Sequence, residues 1–336
     1  MKNKVDVAVV VVAYSSREWI SKCLLALSEQ TVTPSEVIVV DNGSPGGKAL
    51  RAEDLPSFVK FLKNDSNLGF AVANNEAVKL TKARWVVFLN PDAFPEPTWL
   101  EELLAATHRW PDARIFGSTQ IKHGEQDRLD GAGDAFHVFG LPFRSGFGNA
   151  RSRLPEEGET FSACGAAMMI DRSLFEHLGG FDDQYFCYCE DVDLGFRARL
   201  LGEQAVQVRN AVVHHVGSAS SSRWSAFAVY HGTRNRIWVY FKCMPMPWLC
   251  IMLPFNILAS AALFALSIRR GAAIAYLRGI LDGVTGLNRV WPKRAPLQTG
   301  RKARVNDIMR MMVWNPAVLL TRSPQIIRRT SATDTD

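Results

Sequence analysis

The chain has 336 residues, of which 47% are apolar and 21% charged, a globular composition that excludes a disordered or fibrous protein. At roughly 150 residues per domain it has room for two domains, and for a core that needs neither disulfides nor a structural metal. The formal net charge of +6 is unevenly spread: residues 1–241 carry 25 basic and 29 acidic side chains, whereas 242–329 carry 14 basic ones against only Asp282 and Asp307. The six cysteines follow no repeated spacing, which fits a reduced compartment, and the valine run after Lys4 soon gives way to polar residues, so no secretory signal is expected.

The first half alternates strand and helix patterns. Residues 6–12 form a nearly continuous β-branched run, the signature of a strand buried on both faces. Apolar residues at helical spacing follow over 18–30. A second strand at 36–40 is stopped by Asp41-Asn42-Gly43-Ser44, a third is expected at 58–62, and a helix at 71–81. The strand at 85–89 ends in Asn90-Pro91-Asp92, and 97–109 reads as a helix with an acidic first turn. This order predicts an α/β fold with a mostly parallel, doubly wound sheet, whose ligands lie beyond the C-terminal ends of the strands. Residues 117–159 read as loop-rich. Helices are expected at 171–178 and 190–201, the second with a carboxylate-rich start, and a strand at 205–213 runs into His214-His215.

After Tyr240 the composition changes. Residues 244–268 hold no charge and are long enough to span a bilayer, but Pro245, Pro247, Pro254 and Asn256 interrupt their first half. The amphipathic stretch 272–287 and the basic flank fit an in-plane or re-entrant membrane segment better than a single span, which would place the basic tail on the wrong side. A pair of core helices is the plain rival. Nucleic acid is not the expected partner, because the tail is apolar rather than a polar surface with interleaved aromatics.

Three clusters carry chemistry. A carboxylate at Asp92, fixed at a strand end, can hold a divalent metal against a diphosphate, although Asn-Pro-Asp is also a common turn. Glu190-Asp191-Val192-Asp193 places three carboxylates at a helix start, more than capping needs, and one of them can act as a general base. In His214-His215, one imidazole can complete a metal site or simply be a polar strand end.

Taken in order, Val10-Val11-Val12-Ala13-Tyr14, Val39-Val40-Asp41-Asn42-Gly43-Ser44, Asn67-Leu68-Gly69-Phe70-Ala71 with Asn74-Asn75, and Phe88-Leu89-Asn90-Pro91-Asp92 resemble the family-2 inverting glycosyltransferases. So do Gly165-Ala166-Ala167-Met168, Gly179-Gly180-Phe181-Asp182 and Tyr188-Cys189-Glu190-Asp191-Val192-Asp193-Leu194. The likeness covers nearly the whole chain and points in particular to rhamnosyltransferase-like members that build bacterial surface polysaccharides.

The resemblance implies a GT-A catalytic domain over 1–240 and a basic, apolar helical membrane-associating region over 241–336. It assigns Asp41 to the pyrimidine base and the backbone around Ala13 and Tyr14 to the ribose, with Asn67, Gly69, Asn75 and Asn90 also on the nucleotide sugar. Ala13 and Ser15 depart from the family's usual Thr and Asn. It makes Asp92 the metal aspartate, with His215 rather than His214 beside it, and Mg²⁺ or Mn²⁺ as cofactor. Asp191 becomes the catalytic base with Glu190 next to it, and Gly165, Ala166, Arg234 and Arg236 face the acceptor or a diphosphate. The implied reaction is transfer of one sugar, from deoxythymidine-diphosphate (dTDP) rhamnose first and uridine-diphosphate (UDP) sugars next, to a lipid-linked saccharide at the cytoplasmic face of the membrane. Arg223-Trp224 lacks the glutamine of processive relatives, with Ser220 in its place. A homo-oligomer is compatible with all of this. The rivals are an inactive membrane-bound scaffold and a nucleotidyltransferase, the latter lacking its glycine-rich loop after the first strand.

Overall fold

The computed structural model describes residues 3–217 and 224–328. The β-branched run forms β1 (Lys4–Ala13), and burial on both faces places it inside the sheet. It is followed by α1 (Arg17–Ser28), β2 (Thr33–Asn42), β3 (Val59–Asn64), α2 (Gly69–Val78), β4 (Trp85–Leu89), β5 (Ala93–Pro95) and α3 (Trp99–Arg109). Strands β4, β1, β2 and β3 lie side by side and parallel. The two-residue alternation of β1 divides the core. Val7, Val9 and Val11 cluster with apolar residues of α1 and α3, whereas Val10 clusters with Ala71, Ala73 and Ala77 of α2.

The second half departs from the loop-rich expectation. Residues 115–171 hold β6 (Ile115–Lys122), β7 (Leu129–Ala132), β8 (Asp134–His137), β9 (Leu141–Arg144), β10 (Gly158–Thr160) and β11 (Ala167–Asp171). Strands β7 to β10 have only three or four residues each, too few to show a two-residue period. Next come α4 (Arg172–His177), α5 (Glu190–Leu200) and β12 (Ala205–His215). The sheet order is β10-β12-β6-β11-β4-β1-β2-β3, with β5 on β12, β7 on β6, and β8-β9 as a separate hairpin. Because β11 runs antiparallel between β4 and β6, the sheet is mixed, parallel in its first half.

The C-terminal region begins with α6 (Ala226–Cys243), so the division expected at 240/241 falls inside a helix. It continues with α7 (Trp248–Arg269), α8 (Ala273–Thr285), α9 (Leu287–Thr299), α10 (Val305–Arg310) and α11 (Val318–Thr321). Helix α5 is enclosed on two sides: Leu194 and Ala198 join the sheet-side core, while Val192, Phe196 and Leu200 join Ile237, Trp238, Tyr240, Val290 and Ile308 of α6, α9 and α10. Residues 301–328 return to the first part of the fold. Lys302 and Ala303 donate to the Leu200 carbonyl, Val313 bridges to His137, and Ile327 bridges to Glu159, so the end of α5 and two strands satisfy backbone groups here.

Helices α7 and α8 are the exception. Only Leu249, Met252, Asn256 and Ser267 of α7 are buried, and by length and composition it is the one described helix able to cross a membrane. Helix α8 buries Ala275, Tyr276, Gly279 and Gly283 against α6, where a Cβ at Gly279 would lie 2.8 Å from the Tyr230 carbonyl oxygen. Its outer stripe is just as apolar: Ile274, Leu277, Leu281 and Val284 are all exposed. Arg278 and Asp282 are the exposed charges beside this apolar stripe, which is larger than scattered surface apolar residues account for.

A buried ion network fastens α6 to α5. The Lys242 ammonium, 1% exposed, lies 2.5 Å from Asp193 Oδ1 and 2.7 Å from Asp182 Oδ2, while Arg197 Nε donates to Asp193 Oδ2 at 2.7 Å. Lys242→Met removes one cation and leaves two buried carboxylates undercompensated, and is expected to cost about 3–5 kcal/mol in urea unfolding. Lys293→Met, at the exposed rim of the same network, is expected to cost under about 1 kcal/mol.

Candidate active site

The ends of β1, β4 and β12 open onto a cavity of about 620 Å³ lined by Tyr14, Asn42, Asn67, Gly69, Asn90, Asp92 and His215. A second cavity of about 440 Å³ shares Asn90 and Arg144 with it and is lined further by Gly165, Ala166, Glu190, Asp191 and Arg236. The alternation of β12 separates the two histidines. His215 is buried on the cavity wall, and His214 reaches Glu96 at 3.2 Å.

His215 Nε2 lies 3.4 Å from Asp92 Oδ1, and its Nδ1 lies 2.7 Å from Asp130 Oδ2. Burial works against a charged ring, but the bonds to Asp130 and Asp92 outweigh it and raise its pKa. Burial likewise opposes ionisation of Asp130, yet Arg144 and His215 bring it down to about 2. Two lone-pair groups facing each other, Asp92 Oδ1 and His215 Nε2, are stable only with a proton or a cation between them. One carboxylate and one imidazole suit Mn²⁺ or Mg²⁺, whose other ligands come from phosphate and water, so the donor set fits a diphosphate-bound divalent ion.

On the other side, Asp191 opens α5. Its Oδ2 accepts from Gly165 N–H and its Oδ1 from Val192 N–H, each at 2.8 Å. The loop before it has positive φ at three non-glycine residues, Phe186, Tyr188 and Cys189, a strained backbone that aims the helix start at the cavity. Asn235 Nδ2 holds this loop through the carbonyls of Tyr185, Cys187 and Tyr188, at 2.7–2.9 Å. The carboxyl groups around Asp191 are kept neutral. Burial, and then the Asp191 charge, push both Asp134 and Glu190 well above the usual carboxylate range. Burial also raises the Cys164 thiol to about 12.

The expected residues divide accordingly. Tyr14, Asn67, Gly69, Asn90, Asp92 and His215 line one cavity; Gly165, Ala166, Glu190, Asp191 and Arg236 line the other. Four take other positions. Asp41 is fully buried and lines neither cavity, and its carboxylate accepts from Ser44 N–H (2.8 Å) and Leu50 N–H (2.5 Å), bonds that shape the loop after β2. Ala13 is buried in the core. Asn75 clamps Phe181 and Asp183, and Arg234 donates to the Tyr185 carbonyl and stacks on Trp238. No sequence motif marks Asp130, Asp134 and Arg144, because they sit on the short strands β7 to β9. The spacing of Asp130 and Asp134, with glycines at 131 and 133, is the available signal.

Residues 8–179 match the model of glycosyl transferase family 2. The chain belongs to this family. The glycosyltransferase is 30% identical over 239 residues to an N-acetylglucosaminyl-diphospho-decaprenol L-rhamnosyltransferase of Mycobacterium tuberculosis, covering 64% of this chain and 77% of the relative. It is 28% identical to the O-antigen biosynthesis protein RfbC of Myxococcus xanthus, over 66% of this chain and 19% of that longer protein. Among solved structures, its fold is similar to a mannosyltransferase from Pyrobaculum calidifontis in complex with GDP-Man and Mn²⁺ (TM-score 0.50, 19% identity, 88% of this chain and 85% of that one). It is also similar to GalNAc-T7 with UDP, GalNAc and Mn²⁺ (TM-score 0.55, 16% identity, 72% of this chain and 51% of that one). The fold is thus the GT-A type, and the enzyme is an inverting glycosyltransferase that uses a nucleotide-sugar donor.

The neutral carboxyl of Asp134 has a consequence for stability. The folded protein keeps a proton there that the unfolded chain releases above about pH 4, so this group subtracts stability as pH rises. Asp134→Asn has no such proton. Its stability relative to wild type is expected to grow between pH 4.5 and 7, by at most about 1.4 kcal/mol per pH unit, in urea unfolding at each pH. A pH-independent difference would mean an ionised Asp134.

Proposed function

We propose that this glycosyltransferase moves one sugar from dTDP-rhamnose, or failing that from a UDP-sugar, to a hydroxyl of a lipid-linked saccharide in cell-surface polysaccharide synthesis. The observation that carries the reading is the pair of adjoining cavities, one with a metal-fitting donor set and one with a backbone-held carboxylate. The named decaprenol-linked acceptor and rhamnosyl transfer of the mycobacterial relative support this choice of substrates.

In this reading Asp191 takes the proton of the acceptor hydroxyl. The oxygen bonds to the anomeric carbon from the face opposite the nucleotide, the bond to the diphosphate oxygen breaks, and the configuration inverts. Asp92 and His215 would hold the divalent ion, which when bound neutralises charge on the leaving diphosphate. Mn²⁺ in two structures of similar fold supports this assignment. Asp191 lines the cavity and is held by two backbone N–H groups, which favours it over its neighbours Asp134 and Glu190 as the base. Asp191→Asn is expected to lower kcat by about 10²–10⁴-fold, with dTDP affinity by calorimetry unchanged. The substrate pair is tested with a panel of nucleotide sugars and a polyprenyl-diphosphate N-acetylglucosamine acceptor. Rhamnosyl transfer is the expected result, and donor hydrolysis without transfer would overturn it.

Arg236 favours an anionic acceptor. It is 5% exposed and faces the base-side cavity, with Nη2 bonded to Ser260 and Tyr276, while Nε and Nη1 have no partner among the described residues. Buried donors without partners are costly, and a diphosphate would satisfy them. The same wall includes Leu263 of α7 and Tyr276 of α8, so a lipid tail would leave toward the two exposed apolar helices. Arg269, Arg270 and Arg278 beside that face suit anionic lipid, at about 1 kcal/mol each near the surface. This favours in-plane docking at the cytoplasmic face. Transfer of a single sugar rests on the sequence alone at 220 and 223, since Ser220 and Arg223 lie outside the described residues, while Trp224 lines the base-side cavity. Truncation after 241 would remove Lys242 and part of the core, so surface substitution is the cleaner test of membrane docking. Leu258→Glu with Leu281→Glu, both over 60% exposed, is expected to abolish flotation with anionic vesicles while leaving the melting temperature unchanged.

A further inference from the structure

We propose that Asp130 is a positioning residue that fixes His215 with the lone pair of Nε2 turned into the cavity, toward Asp92. The inference rests on the reading that Asp92 and His215 share a divalent ion, and extends it to a residue no motif contains.

Asp130 lies on β7 and His215 on β12, strands that both pair with the C-terminal part of β6. Both side chains are buried, with Asp130 4% exposed and His215 3%. Asp130 Oδ2 is 2.7 Å from His215 Nδ1 and also accepts from Arg144 Nη1 at 2.5 Å. A carboxylate beside a guanidinium only accepts, so Nδ1 carries the hydrogen, and the neutral ring keeps its lone pair on Nε2. Asn90 agrees with this orientation, since its amide nitrogen, a donor only, lies 3.4 Å from Nε2. The arrangement is built rather than incidental. A Cβ at position 131 would come within 2.6 Å of Arg144 Cδ and Cγ, so Gly131 makes the space in which Arg144 reaches Asp130. Carboxylates that hold the far nitrogen of a ligating histidine in this way typically strengthen metal affinity by about 10–100-fold.

The test is Mn²⁺ binding, followed by electron paramagnetic resonance with UDP present, in the full-length protein. Asp130→Ala is expected to weaken Mn²⁺ by about 10–100-fold, and Asp130→Asn by less because its amide oxygen still accepts. Asp130→Ala combined with His215→Ala is expected to bind no more weakly than His215→Ala alone. In ¹⁵N spectra the His215 Nδ1–H signal should be present in the wild type and lost in Asp130→Ala. If His215→Ala weakens Mn²⁺ but Asp130→Ala does not, the positioning role is overturned and the shared ion stands. If Asp92→Ala and His215→Ala both bind Mn²⁺ as the wild type does, the shared ion itself is overturned. Arg144→Met separates the two contacts of Asp130: a loss equal to that of Asp130→Ala would route the effect through Arg144 and overturn the proposal. Should Asp130→Ala fail to fold, Asp130→Asn and the wild-type ¹⁵N spectrum decide alone.

Discussion

The structure depends on how helix α5 is buried. A helix whose second residue is the proposed base has to be rigid, yet among its other polar residues Asp193 and Arg197 are almost fully inside the protein. They are tolerable there because they pair with each other and with Lys242 of α6, and because Arg197 also donates to the carbonyls of Leu178 and Gly180. The network ties the sheet, the Gly179-Gly180 turn and the C-terminal helices to one point, one turn below Asp191. The C-terminal region is therefore part of the scaffold of the site, and its apolar surface is carried on helices outside that contact.

Within the site, burial and charge sort the carboxylates into two kinds. Asp130 stays ionised because Arg144 and His215 face it. For Asp134 and Glu190, burial and then the Asp191 charge outweigh what Arg144 offers Asp134 and push both well above the usual carboxylate range. Asp191 receives two backbone N–H groups and lies at the start of a helix, an environment suited to a negative charge. The proposed metal pair and the proposed base thus line two adjoining cavities that share Asn90 and Arg144.

The apolar exterior of α7 and α8 has a different origin from the core. The core forms because β1, α1, α2 and α3 bury their apolar residues against one another; α8 buries a stripe of small residues against α6 and still leaves Ile274, Leu277, Leu281 and Val284 outside. A water-facing helix would carry charge at those positions. This exposed apolar pattern is the observation on which the proposed membrane docking rests.

Read from the sequence alone, the buried β-branched run of β1 and the strand and helix order of the first half are enough for the fold class, and the strand end at Asn90 and Asp92 with the carboxylate cluster at Glu190 and Asp191 are enough for the two halves of the candidate site. These are local signals: period, capping and turn chemistry act over a few residues and can be read there. Asp130, Asp134 and Arg144 could not be read, because strands of four residues show no period and their meaning comes from pairing with β6 and β12. The loop and backbone contacts of Asp41, Asn75 and Arg234, the burial of His215 between Asp92 and Asp130, and the return of residues 301–328 to the rest of the fold are likewise decided only by tertiary structure. Each depends on which groups at long sequence separation meet in a buried place, where hydrogen bonds must be satisfied and charges paired.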